Sequence, residues 1–258
     1  MLIFLHRLIE LVLGTAVDPS TYQDLDKRKV TSAQLMSKEG PSYTDINTAD
    51  NPIVWDILLG VQSTLAVLTK LSKATITNHI SNYGEPGSSV ERATFEIYKD
   101  GAFKSSNYSL NDLYVGYDGG LTEDAFKNWW WRGMMEAVIE ALGKTAVNVA
   151  EKDATPENVL QILTGRKAKK IPGAKADDLF KYTKKANFTP IIVGGVGMGS
   201  GPVYQVVKYA EGDERDTAVV TYMMIYDRQW VEHSATIWEI AQWGVNDLYF
   251  LEDEGSVP

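Results

Sequence analysis

Not one of the 258 residues is a cysteine. That absence excludes disulfides, thiolate metal sites and any thiol nucleophile. It leaves the compartment open, because a chain this long can bury a sizeable core without cross-links. Histidine is nearly as scarce: His6, His79 and His233 are the only three, too far apart for a His-x-x-x-His zinc motif. Positive charge is in deficit, with 25 Lys and Arg against 34 Asp and Glu, a net charge of −9 and a pI near 4.9. A basic face for phosphates is therefore not expected, and neither is a nucleic-acid partner. No apolar run approaches the roughly 20 residues that cross a bilayer. The expectation is a soluble, cytoplasmic protein without a membrane span, a metal or another cofactor.

What is present is ordinary globular material, 44% hydrophobic and 23% charged. Leu2, Leu5, Leu8, Ile9, Val12 and Leu13 share a helical face closed by Gly14. His6, Arg7 and Glu10 interrupt this apolar run, so an amphipathic helix fits better than a cleaved signal. Residues 15–50 are polar and turn-rich. From Asp50-Asn51-Pro52 a helix is predicted, with Ile57, Leu58, Val61, Leu65 and Leu68 as its apolar stripe. Alternation over residues 93–98, then Lys99-Asp100-Gly101, predicts a hairpin. A second helix carries Trp129, Trp130, Met134, Ala137 and Val138 to Gly143. A third is capped by Thr155, has Pro156 in its first turn and ends at Gly165. Beyond residue 185, four runs read as strands: 190–193, 203–207, 218–226 and 248–251. Helices thus dominate the first part and strands the second, an α+β organisation.

Other features have plain readings. The basic cluster Arg166 to Lys170 reads as a solvated connector. Gly194 to Gly201 lacks the Gly-Lys-Ser or Gly-Lys-Thr of a phosphate loop and lies between two apparent strands, so it reads as a flexible connection. The acidic groups Glu211-Gly212-Asp213-Glu214 and Glu252-Asp253-Glu254 lack the spacing of a calcium loop and read as solvated turns. Trp129-Trp130-Trp131 cannot all face one core, because successive helical residues point about 100° apart. At least one is expected at an interface between lobes or between molecules.

The order of these motifs resembles the catalytic core of the calpain family, a two-lobed variant of the papain-like fold, over about residues 50–258. Val54-Trp55 at the start of the long helix is similar to the family's Cys-Trp. Tyr98 to Phe103 resembles its Trp-x-Asp-Gly turn, and Trp131 to Gly143 resembles its tryptophan-bearing helix. Leu163-Thr164-Gly165 looks like the turn into the second lobe, and Asn246 to Glu252 like the closing strand. The resemblance implies a surface extension over 1–49, a helical lobe over 50–165 and an antiparallel, β-rich lobe over 166–258.

The resemblance also implies a dismantled active site. Valine at Val54 stands where the nucleophile belongs, Pro202 replaces the general-base histidine, and Asp227 replaces the asparagine that orients it. Thr48 stands where an oxyanion-hole glutamine is expected. Losing one essential member costs roughly 10⁴–10⁶ in turnover. The expected function is therefore that of a non-catalytic pseudoprotease, structural, scaffolding or self-assembling, with itself or another protein as partner. Two alternatives stand beside it. One is a monomeric regulatory binder using the former substrate cleft. The other is a hydrolase rebuilt around Asp227, His233 and Ser234, although no Gly-x-Ser-x-Gly elbow is present.

Overall fold

The computed structural model describes residues 58–71, 76, 78–82, 92–109, 129–145, 148–196, 202–226, 229–244 and 246–252. The expected amphipathic helix of residues 1–14, Thr48, Val54, Trp55, Asp227 and most of the glycine-rich connection lie outside them.

Helix α1 (Leu59–Leu71) is the central element. The stripe foreseen from periodicity is buried at Val61, Leu65 and Leu68, each worth about 1.5–3 kcal/mol of transfer free energy. Burial goes further than the stripe, since every residue from Gly60 to Leu68 is enclosed, including Gln62, Ser63 and Thr64. Thr64 removes its own polar cost by donating its hydroxyl to the Gly60 carbonyl at 2.8 Å.

Strand β1 (Ile80–Ser81) pairs with β2 (Arg92–Lys99), and β2 pairs with β3 (Ala102–Ser109), all antiparallel. The hairpin is the one the sequence announces. Lys99 faces Ala102 across a two-residue turn in which Asp100 and Gly101 have φ of 53° and 74°. Those left-handed values match the twist of the strands and select Asp-Gly.

Helix α2 (Trp129–Ala141) packs over β2. Gly133 lies so close to the Phe95 ring that a Cβ there would fall 1.9 Å from Phe95 Cζ. Trp130 and Trp131 are both buried, 5.0 Å apart between ring centroids. One core absorbs both because α2 is enclosed on most of its circumference, with Met134, Met135, Ala137, Val138 and Ile139 also buried. Helix α3 (Pro156–Thr164) has the predicted limits. Thr155 accepts from Asn158 N at its start, and Gly165 N donates to the Gln161 carbonyl at its end.

The second sheet has six strands in the order β4-β9-β5-β6-β7-β8, every neighbouring pair antiparallel. These are β4 (Ala168–Ile171), β5 (Ile191–Val196), β6 (Pro202–Glu211), β7 (Val219–Tyr226), β8 (Gln229–Thr236) and β9 (Asp247–Leu251). Helix α4 (Ala176–Thr183) follows β4, and α5 (Ile237–Gln242) separates β8 from β9. Three of these elements correct or extend the sequence reading. Residues 168–171 form a strand rather than a connector, because Lys167 and Lys169 pair with Glu252 and Lys170 with Asp247. Lys169 and Lys170, preceded by Lys167, hide a strand whose buried residue is Ala168. His233 lies in β8, and α4 is a short polar helix anchored by buried Leu179.

The inner strands β5 and β9 are buried on both faces, which is why 191–193 and 248–251 read as continuous apolar runs. One face of the six-stranded sheet gives Ile192, Tyr204, Val206, Tyr249 and Leu251 to the core built on α1, α2 and α3. The other gives Ile191, Val193, Val207, Val220, Leu248 and Phe250 to a core closed by α4 and α5. The fold is thus α+β, with helices and antiparallel sheets.

Candidate functional site

Buried polar groups gather near the amino end of α1. Leu58, at φ 54°, leads into α1 there. Glu151, 92 residues further along the chain, accepts a hydrogen bond from Leu59 N to Oε1 at 2.8 Å. A carboxylate thus answers the unpaired amides and the positive end of the helix dipole. Burial pushes the Glu151 carboxyl above its usual value, and the amides of Leu59, Gly60 and Leu58 pull it back. Its Oε2 is buried without a hydrogen bond among the described residues.

Across from this cap, β6 and β9 present Tyr204 and Tyr249, edge to face at 6.1 Å. Burial, then the nearby charges of Glu151 and Asp247, raise the Tyr204 phenol to about 12. The Tyr249 phenol is also held well up, by burial first and then by Tyr204 and Asp247. Tyr249 donates to Asp247 Oδ2 at 3.3 Å, and Lys170 pairs with the same carboxylate at 2.6 Å. Gly194, the first residue of the glycine-rich segment, lies against both rings. A Cβ there would come within 3.0 Å of each. That glycine answers a packing need, a role its place in a glycine run does not reveal.

The residues singled out in the sequence do not converge here. Pro202 opens β6 opposite Val196, and Val54 and Asp227 lie outside the described residues. His79, in the turn before β1, directs Nδ1 to the Glu96 carbonyl of β2 at 2.5 Å. His233 stacks on Tyr222 at 5.8 Å, on the face of β8 opposite that of its neighbour Ser234. Ser234 Oγ shares a 3.0 Å hydrogen bond with Thr221 Oγ1, and Glu232 pairs with Lys208. Strand alternation therefore separates the serine from the histidine. Among the described residues no cluster of three His, Asp or Glu could hold a metal, and no helix is long and apolar enough to cross a membrane.

Chemically, the assembled groups are hydrogen-bonding and capping groups. Burial holds the Tyr204 and Tyr249 phenols protonated, and Glu151 Oε1 accepts from Leu59 N. Sequence reasoning missed Glu151, Tyr204 and Tyr249 as a unit. Glu151 carries no local signal, because its partner amides are distant in the chain. Compared with protein-family models and with curated proteins, the chain matches none.

Proposed function

We propose that this chain is a non-catalytic, calpain-like pseudoprotease whose two-lobed, papain-like scaffold serves self-assembly or scaffolding. The observation that carries the reading is the Glu151 cap on α1 in a chain with no cysteine. The chain has no thiol to set against a helix dipole, and at α1 the positive end is met by the Glu151 carboxyl. In this reading Val54, Pro202 and Asp227 are the remnants of a nucleophile, a base and an orienting group. The lobes correspond to residues 50–165 and 166–258, with 1–49 as an extension. A scaffold stripped of its chemistry retains only surface and stability with which to act.

The test measures hydrolysis and mass together on the full chain. Broad peptidase and esterase substrates should turn over no faster than in buffer. Sedimentation velocity from 1 to 200 µM should show the mean mass rising with concentration. Turnover that survives purification and disappears in Ser234→Ala would favour a rebuilt hydrolase. A strictly monomeric, inactive protein would favour a regulatory binder.

A further inference from the structure

A groove of about 520 Å³ opens on the surface between the β2–β3 turn, the end of α2, α3 and the approach to β4. Its charged lining is Lys99, Asp100, Arg166 and Lys167, with the amides of Asn158 and Gln161 between them. Glu252 organises the basic rim. Its carboxylate holds Lys167 and Lys169 at 3.1 Å each, and its carbonyl accepts from Arg166 Nη2 at 3.3 Å. Three lining cations, Lys99, Arg166 and Lys167, against Asp100 leave the described rim net positive even with Glu252 paired to Lys167, on a chain whose total charge is −9. That contrast makes it a place where an anionic segment is welcomed while a long polyanion is repelled by the rest of the surface.

A fitting anionic segment is carried by the same sequence. The β6–β7 turn holds Glu211-Gly212-Asp213-Glu214, all exposed, at the tip of a hairpin. Its shape is set in advance. Ala218 N donates to the Glu214 carbonyl at 2.8 Å, and Gly212, at φ 102°, lies against Ala218. Lys184 holds Asp213 at 3.3 Å, and Arg215 holds Asp177 at 2.8 Å, so the turn is tied towards α4. In the sheet order β4-β9-β5-β6, the strand leading to this turn lies three places from the strand beside the groove. A pre-shaped turn loses little conformational entropy on docking.

We infer that the groove is the acceptor half of a head-to-tail contact, and that its ligand is the acidic β6–β7 turn of a second copy of the chain. This rests on the self-assembly reading and names one of its contacts. Groove and turn are different surfaces, so the contact is heterologous. A pair of copies still keeps one groove and one turn unused, so the association propagates to a ring or a filament. Charge dominates it, so salt opposes it.

The experiment uses the full chain in sedimentation velocity at 50 and 500 mM NaCl. Wild type should associate, and at least tenfold more weakly at high salt. Lys99→Glu with Arg166→Glu, or Glu211→Lys with Glu214→Lys, should each weaken association at least tenfold at low salt. Mixing the two reversed proteins should restore it. All substituted side chains are on the surface, and melting curves confirm folding. Lys99→Gln with Arg166→Gln gives a milder second pair, for which a loss of at least threefold is expected. Association of both reversed proteins at wild-type strength would overturn this contact and leave the self-assembly reading standing. A mixture no stronger than its components would also overturn it. A wild type that stays monomeric at low salt would overturn both.

Discussion

Replacing Gly60 with alanine would place a methyl carbon 2.1 Å from the carbonyl oxygen of Ala154, 3.2 Å from its carbon and 3.3 Å from Pro156 Cδ. The separation from the oxygen is about 1 Å short of what such atoms tolerate. The obstacle is backbone, held by Ala154 N donating to the Ala150 carbonyl and by the adjoining N-cap of α3, so it cannot rotate away. Relief requires α1 and the 150–156 segment to part, which also stretches the Glu151 bond to Leu59. Overpacking of this kind costs about 1–3 kcal/mol, and loss of the cap adds about 1–2. Alanine returns at most about 1 kcal/mol of helix propensity, and less at the second residue of a helix. The net expectation is a loss of about 2–4 kcal/mol, or a fall in Tm of roughly 5–15 °C for a chain of this size. Differential scanning calorimetry with a urea titration would measure it. A variant as stable as wild type, or stabilised by the propensity gain, would refute the packing of the 150–156 segment against α1.

Glu151→Ala should cost about 1–2 kcal/mol, whereas Glu151→Gln keeps an acceptor oxygen and should cost less. Because burial raises the folded carboxyl above its unfolded value of 4.5, its contribution to stability is present below that pH and is lost as pH rises through the folded value. Urea midpoints from pH 4 to 7 should therefore lose part of their pH dependence in the glutamine variant. Lys70 donates Nζ to the carbonyls of Ala186 at 2.9 Å and Val207 at 3.4 Å and also to Lys208, across the bulge in β6. Burial, then Lys208, lowers its pKa from 10.5 to about 8, so its contribution rises with pH from about 8 to 10.5. Lys70→Met should lack that rise with pH, as read from urea midpoints at each pH. Gly101→Ala keeps the hairpin but forces φ 74° on a residue with a Cβ, a cost of about 1–2 kcal/mol visible as a lower Tm. Iodoacetamide should add no mass attributable to a thiol in intact-mass spectra of the unfolded chain.

The composition alone decides that this chain does no thiol chemistry, because that conclusion needs no geometry. Local sequence also determines the elements whose physics is local. Asp100-Gly101 makes a hairpin, and Thr155-Pro156 opens a helix that Gly165 closes. The apolar runs at 191–193 and 248–251 become strands because both faces of β5 and β9 are covered. Tertiary structure decided the rest. Nothing near Gly60 announces that Ala154 presses on it, nor near Glu151 that it caps a helix 92 residues away. Trp130 and Trp131 share a core because α2 is enclosed on several sides, which helical periodicity cannot say. The lysines of residues 167–170 look solvated until Glu252 and Asp247 arrive from a distant strand to pair with them. His233 and Ser234 suggest chemistry as neighbours in sequence, and the alternation of β8 turns them to opposite faces. Local propensities depend on nearest neighbours, whereas a site depends on which distant segments the cores bring together.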